Sequence, residues 1–208
     1  MNPMGMSPPL TLLVFAVFPL WCLAGFADWV CHRRTAIALT SGLGENALHW
    51  LMALVSGAGI ALVLFFETDA GLLGLLLLLF LAHEATAAWD LADNTLRRDV
   101  GAGEQLVHSA QEMLPLVAIA LLALDAWPGL QPLDWALHPR AGLPPLPWLG
   151  AAGLLVLALV LLPLLQETVS CLGARAARKA RDEARAQARV EPGLEPVRPR
   201  TPANPAPR

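Results

Sequence analysis

Apolar and polar positions alternate along this chain in long blocks rather than at the spacing of a soluble helix. Five apolar runs, at about 10–27, 47–66, 71–89, 106–127 and 148–169, are separated by short polar segments. A helix needs about 20 predominantly apolar residues to cross the hydrocarbon of a bilayer, so the pattern predicts five transmembrane helices. The flank before the first run, MNPMGMSPPL, has no Lys or Arg; it lacks the basic start of a cleavable signal peptide, and the run is read as a retained helix. Pro115 and Pro163 lie inside the fourth and fifth runs, which membrane helices tolerate where neighbours satisfy the freed carbonyls.

Residues 1–170 thus form a transmembrane helical domain, the first four spans making a bundle. Residues 128–147 read as a Pro-rich loop between spans four and five. The Ala- and Arg-rich stretch 171–190 reads as a basic helix continuing span five, and 191–208 as a disordered Pro-rich tail. Composition agrees: 56% of residues are hydrophobic and 15% charged, against about 45–50% and about 25% in soluble domains, and the mean hydropathy is +0.54.

Charge sets an orientation. Of the 14 Lys and Arg, only Arg140 falls on the face opposite Arg33, Arg34, Arg97, Arg98 and the tail. The positive-inside rule makes the basic face cytoplasmic, with the N-terminus outside and the C-terminus inside. Trp29, Trp50 and Trp89 fall at the inner interface, Trp127 and Trp148 at the outer one. The basic tail reads as an orientation signal and a contact for anionic lipid, with RNA or partner binding the lesser alternative; nucleic acid is not counted among the expected partners. Three cysteines without CxxC spacing predict neither a disulfide framework nor a zinc ribbon.

Ionisable residues inside spans are costly and mark function by default. Here they recur at helical spacing. Asp28 and His32 are four apart, as are Glu45 and His49; His83 and Asp90 are seven apart, with Glu84 next to His83; Glu104, His108 and Glu112 step by four. Such spacings put side chains on one face. At about 1.5 Å per residue, His83 and Glu112 lie about 10 Å in from the inner ends of their helices, with the others somewhat shallower. The expected metal site is therefore Asp28, His32, Glu45, His49, His83, Asp90, Glu104, His108 and Glu112, near the cytoplasmic end of the bundle. Glu45 and Glu112 are the candidate catalytic acids or bases. Glu84, about 100° round the helix from His83, is expected to support from outside the ligand set.

Imidazole with carboxylate suits iron, manganese or zinc. The donors exceed the needs of one tetrahedral zinc and suit two carboxylate-bridged metals in a helical bundle, although soluble bundles of that kind use Glu-x-x-His where this chain has Glu-x-x-x-His. Two irons are expected, with zinc or manganese as alternatives. The leading function is a di-iron oxidoreductase of hydroxylase or desaturase type, acting on a lipid or other apolar substrate and needing an electron donor. The alternatives are a zinc-dependent hydrolase of a lipid amide or ester, in which metal-bound water is the nucleophile, and a non-enzymatic metal or proton carrier.

The segments DWVCHRR, GENALHWLM, HEATAAWDLA and RRDVGAGEQLVHSAQEMLP resemble a family of short bacterial inner-membrane proteins without established function. The resemblance covers about residues 20–116 and implies a bacterial inner (plasma) membrane location. Members are sometimes labelled diguanylate cyclases. That activity needs a large soluble domain with a GGDEF-type loop, and GLGEN at 42–46 is not one.

Overall fold

The computed structural model describes residues 6–96, 100–130 and 134–190. Arg97 and Arg98, part of the basic face, and the tail 191–208 lie outside the described residues. Five helices carry the fold: α1 Pro8–Arg34, α2 Leu43–Phe65, α3 Ala70–Asn94, α4 Ala102–Gly129 and α5 Leu146–Gln187. Each is long and apolar enough to cross a membrane, and no strand occurs among the described residues. The architecture is all-α and compatible with a multi-pass membrane protein, since a helix satisfies its own backbone inside lipid.

Four helices overrun their apolar runs at the same end of the molecule. α1 continues past residue 27 to Arg34 and α3 past residue 89 to Asn94, while α2 starts at Leu43 and α4 at Ala102, ahead of residues 47 and 106. The extra turns hold the acids and histidines. Hydropathy shows where a helix leaves hydrocarbon, whereas these turns stay helical with their polar side chains buried inside the protein.

Two π turns, Leu13–Val17 in α1 and Leu157–Leu161 in α5, sit just before Pro19 and Pro163. A proline ring collides with the carbonyl one turn back and has no N–H to offer it; widening that turn to π geometry relieves the clash. Pro115 lies within α4, where the helix stays α throughout Ala102–Ala126.

The large helix contacts run α1–α4, α4–α3, α3–α2, α2–α5 and α5–α1, a closed ring of five. This differs from a bundle of the first four spans. α5 inserts between α1 and α2, and the reason is polar. Trp29 Nε1 of α1 donates to Gln166 Oε1 at 2.8 Å, and Trp50 Nε1 of α2 donates to Thr168 Oγ1 at 2.9 Å.

The two ends of the ring are built differently. Around the α2–α3 turn the core is apolar: Leu72, Leu76 and Leu122 pack with Leu10, Leu62 and Phe66. At the opposite end the buried side chains are polar, and Glu45, His32, Asn94 and Asp90 are each 2% exposed or less. Large apolar side chains such as Leu54, Leu78 and Leu154 face outward, as a lipid-facing surface requires.

A latch closes the apolar end. Asp69 caps α3, accepting from Leu72 N at 2.7 Å through Oδ1, and its Oδ2 lies 3.1 Å from His138 Nδ1. Burial would raise the Asp69 carboxyl, but the Leu72 and His138 donors hold it below its ordinary value. Gly71 lets the loop approach: its N–H donates to Asp134 O at 3.2 Å, and a Cβ there would lie 2.8 Å from the Trp135 carbonyl carbon. Gly71→Ala is expected to push the loop away at a cost of about 1–3 kcal/mol, read as faster proteolysis within 134–140 and a lower unfolding temperature in detergent.

Candidate metal centre

The interior of the polar end repeats one pattern on four helices. An acid is followed four residues later by histidine or asparagine: Asp28 and His32 on α1, Glu45 and His49 on α2, Asp90 and Asn94 on α3, Glu104 and His108 on α4. Four residues make about one helical turn, so each pair shares a face. All eight side chains are buried except His108, which is 16% exposed.

Two groups of donors can each close around an ion. Asp28, His32, Glu104 and His108 form one; His32, Glu45 and His49 form the other, and within each group the ligand atoms lie within 4.8 Å of one another. His32 Nε2 is the hub, 3.4 Å from Asp28 Oδ1, 3.4 Å from Glu104 Oε1 and 3.6 Å from Glu45 Oε1. His108 Nε2 is 3.0 Å from Asp28 Oδ1, and His49 Nε2 is 3.8 Å from Asp90 Oδ2. Two ligands each about 2.1 Å from one ion at a tetrahedral angle stand about 3.4 Å apart, so much of this spacing is that of ligands around an ion. Neither His32 Nε2 nor His49 Nε2 has a hydrogen-bond partner. A buried nitrogen left so is costly in a protein interior, and metal ligation would satisfy both. The residues therefore fit a metal.

Behind the ligands stands Glu167 of α5. Its Oε2 is 3.1 Å from His32 Nδ1 and its Oε1 is 2.9 Å from His49 Nδ1. The two imidazoles stack with centroids 4.5 Å apart and planes 3° from parallel. Asn46 Nδ2 donates to Glu167 Oε1 at 2.9 Å. On the other side of the site the Ser41 hydroxyl bonds Glu45 Oε2.

Three expected members stand apart. His83 is buried, but its Nδ1 is 3.7 Å from Glu84 Oε1, and neither residue enters either group. Glu112 is half-buried and also outside both. The reason is helical rise. His83 is seven residues from Asp90, about 10 Å along α3, and Glu112 is one turn beyond His108, about 6 Å along α4. Counting depth from helix ends put both level with the donors, and neither joins a group. Asp90 lies beside the second group through its contact with His49.

Sequence reasoning missed Asn94 and Glu167. Asn94 was marked by its position four after Asp90, where the other helices have histidine. Glu167 lies inside the expected fifth span, and an acid there was itself a signal. Its role depends on α5 lying between α1 and α2, which no local pattern reveals. The three cysteines are free thiols.

No family model, curated protein or solved structure matches the chain, so the resemblance of residues 20–116 rests on the quoted motifs alone.

Proposed function

We propose that the protein is an integral membrane metalloprotein that holds two irons and oxidises a lipid or other apolar substrate with oxygen. The observation that carries the reading is the pair of buried nitrogens, His32 Nε2 and His49 Nε2, which make no hydrogen bond and face acids from other helices at 3.4–3.8 Å. Because Glu167 occupies His32 Nδ1, His32 has one nitrogen left and serves one ion. That ion would take Asp28, His32, Glu104 and His108, leaving Glu45 and His49, with Asp90 alongside, for a second. A hydrolytic zinc keeps three protein ligands and a water, and the donors here exceed that.

Iron held there supplies oxygen activation and the oxidation of an unactivated C–H bond. The chain's own contribution is placement and proton handling. The four acid-bearing helices fix the ligands from separate directions, and the apolar core at the other end keeps bulk water from entering along the ring axis. Glu45 is the group placed to move a proton. Its Oε2 meets the Ser41 hydroxyl at the end of the surface connection 35–42, while Oε1 faces His32. The substrate would arrive sideways from the bilayer, and reducing equivalents from a donor at the basic face, which we take as the cytoplasmic side by the positive-inside rule.

Protein purified in mild detergent is expected to contain about two irons per chain and, when reduced, to consume oxygen with a change in its visible spectrum. A single zinc with no oxygen reaction would move the assignment to a hydrolase; protein that neither carries nor takes up a transition metal would overturn the reading.

A further inference from the structure

The side chain of Glu167 ligates nothing in either donor group, yet it is 4% exposed and makes three hydrogen-bonding contacts. Its neighbours on α5 fix where it sits. Gln166 is tied to Trp29 of α1 and Thr168 to Trp50 of α2, so the three consecutive residues 166–168 span the gap between those helices. An ionised carboxylate only accepts, so each histidine facing it donates through Nδ1–H. In the neutral ring the proton is then absent from Nε2, whose lone pair points at the donor groups.

We infer that Glu167 is a positioning residue that sets His32 and His49 together in the tautomer that ligates metal, making α5 part of the centre. The inference rests on the metal reading above and deepens it. The two carboxylate oxygens are not equivalent. Oε1 receives both His49 Nδ1 and Asn46 Nδ2, while Oε2 receives His32 alone among the contacts described. Asn46 is itself oriented, because its Oδ1 lies 3.0 Å from Thr168 Oγ1, and that hydroxyl already accepts from Trp50. Two donors thus converge on Oε1.

Glu167→Gln has a directional consequence. Its single carbonyl oxygen stays where two donors meet it, and its amide NH2 turns to His32. His32 must then accept through Nδ1, which moves its proton to Nε2 and withdraws that nitrogen from both donor groups. His49 is unaffected. Outer carboxylates on ligating histidines are typically worth 10–100-fold in metal affinity.

The test uses full-length protein in detergent with 15N-labelled histidine, together with cobalt(II) titration. In metal-free wild type, at a pH high enough that both rings are neutral, His32 and His49 should both show the Nδ1–H tautomer. In Glu167→Gln, His32 should switch to Nε2–H while His49 does not, and cobalt affinity should fall about 10–100-fold. Trp29→Phe removes the bond that docks Gln166 of α5 on α1 but leaves Glu167 and its three contacts, and should change neither tautomers nor cobalt affinity. Unchanged tautomers in Glu167→Gln, or equal losses in the two variants, would reduce Glu167 to a helix-docking residue. If wild type binds no cobalt, the metal reading fails, while the tautomer comparison on metal-free protein still decides the role of Glu167.

Discussion

Replacing His32 with alanine is expected to empty the site it forms with Asp28, Glu104 and His108, leaving at most one ion per chain, on Glu45 and His49. His32 is common to both donor groups, and its Nε2 is the atom on which three carboxylates from three helices converge. Loss of an outer partner alone costs about 10–100-fold in affinity, so loss of the shared ligand should exceed about 100-fold. His32→Gln, closer in volume, should lose as much while filling the space beside His49. His83→Ala and His138→Ala should retain full metal content, since His83 stands two turns from the ligands and His138 pairs with Asp69 at the other end. Metal analysis of the four proteins, each checked for membrane insertion, decides the matter. Full metal content in His32→Ala would show that the two groups are not where the metal binds.

An all-or-none result is expected for orientation. With only Arg140 of 14 Lys and Arg on one face, a fluorescent protein fused after residue 208 should fluoresce in bacterial cells, and alkaline phosphatase fused there should be inactive. Phosphatase activity at that position would reverse the assignment and put the metal centre on the opposite side of the membrane.

Much of this was legible before any coordinates. A run of about 20 apolar residues has one inexpensive solution in lipid, so the five helices followed from hydropathy alone. The acid and histidine pairs followed from i, i+4 geometry, because that relation is local to a helix. Two things were not legible, for physical reasons. Hydropathy does not see polar side chains buried inside the protein, so the apolar runs end at 27 and 89 although the helices continue to Arg34 and Asn94 through turns that carry candidate donors. Neighbour order is a tertiary property as well. The ring places α5 between α1 and α2, and without it Glu167 is one more polar residue near a membrane surface. Depth counting failed for His83 and Glu112 because it measures distance from an interface but not distance from a particular ligand.

The π turns of α1 and α5 carry a consequence for how such a chain can change over time. A π turn amounts to one residue inserted into an α-helix, and it advances the angular phase of everything beyond it. Leu13–Val17 precedes Asp28 and His32 on α1; Leu157–Leu161 precedes Glu167 on α5. Deleting one apolar residue from either stretch would leave span length and hydropathy almost untouched. The π turn would absorb that deletion by reverting to α geometry, leaving the downstream side chains in place but returning the proline ring to its clash. A deletion between the π turn and the donor-bearing turn has nothing to absorb it; it would swing His32 or Glu167 by about 100° and draw it back by about 1.5 Å.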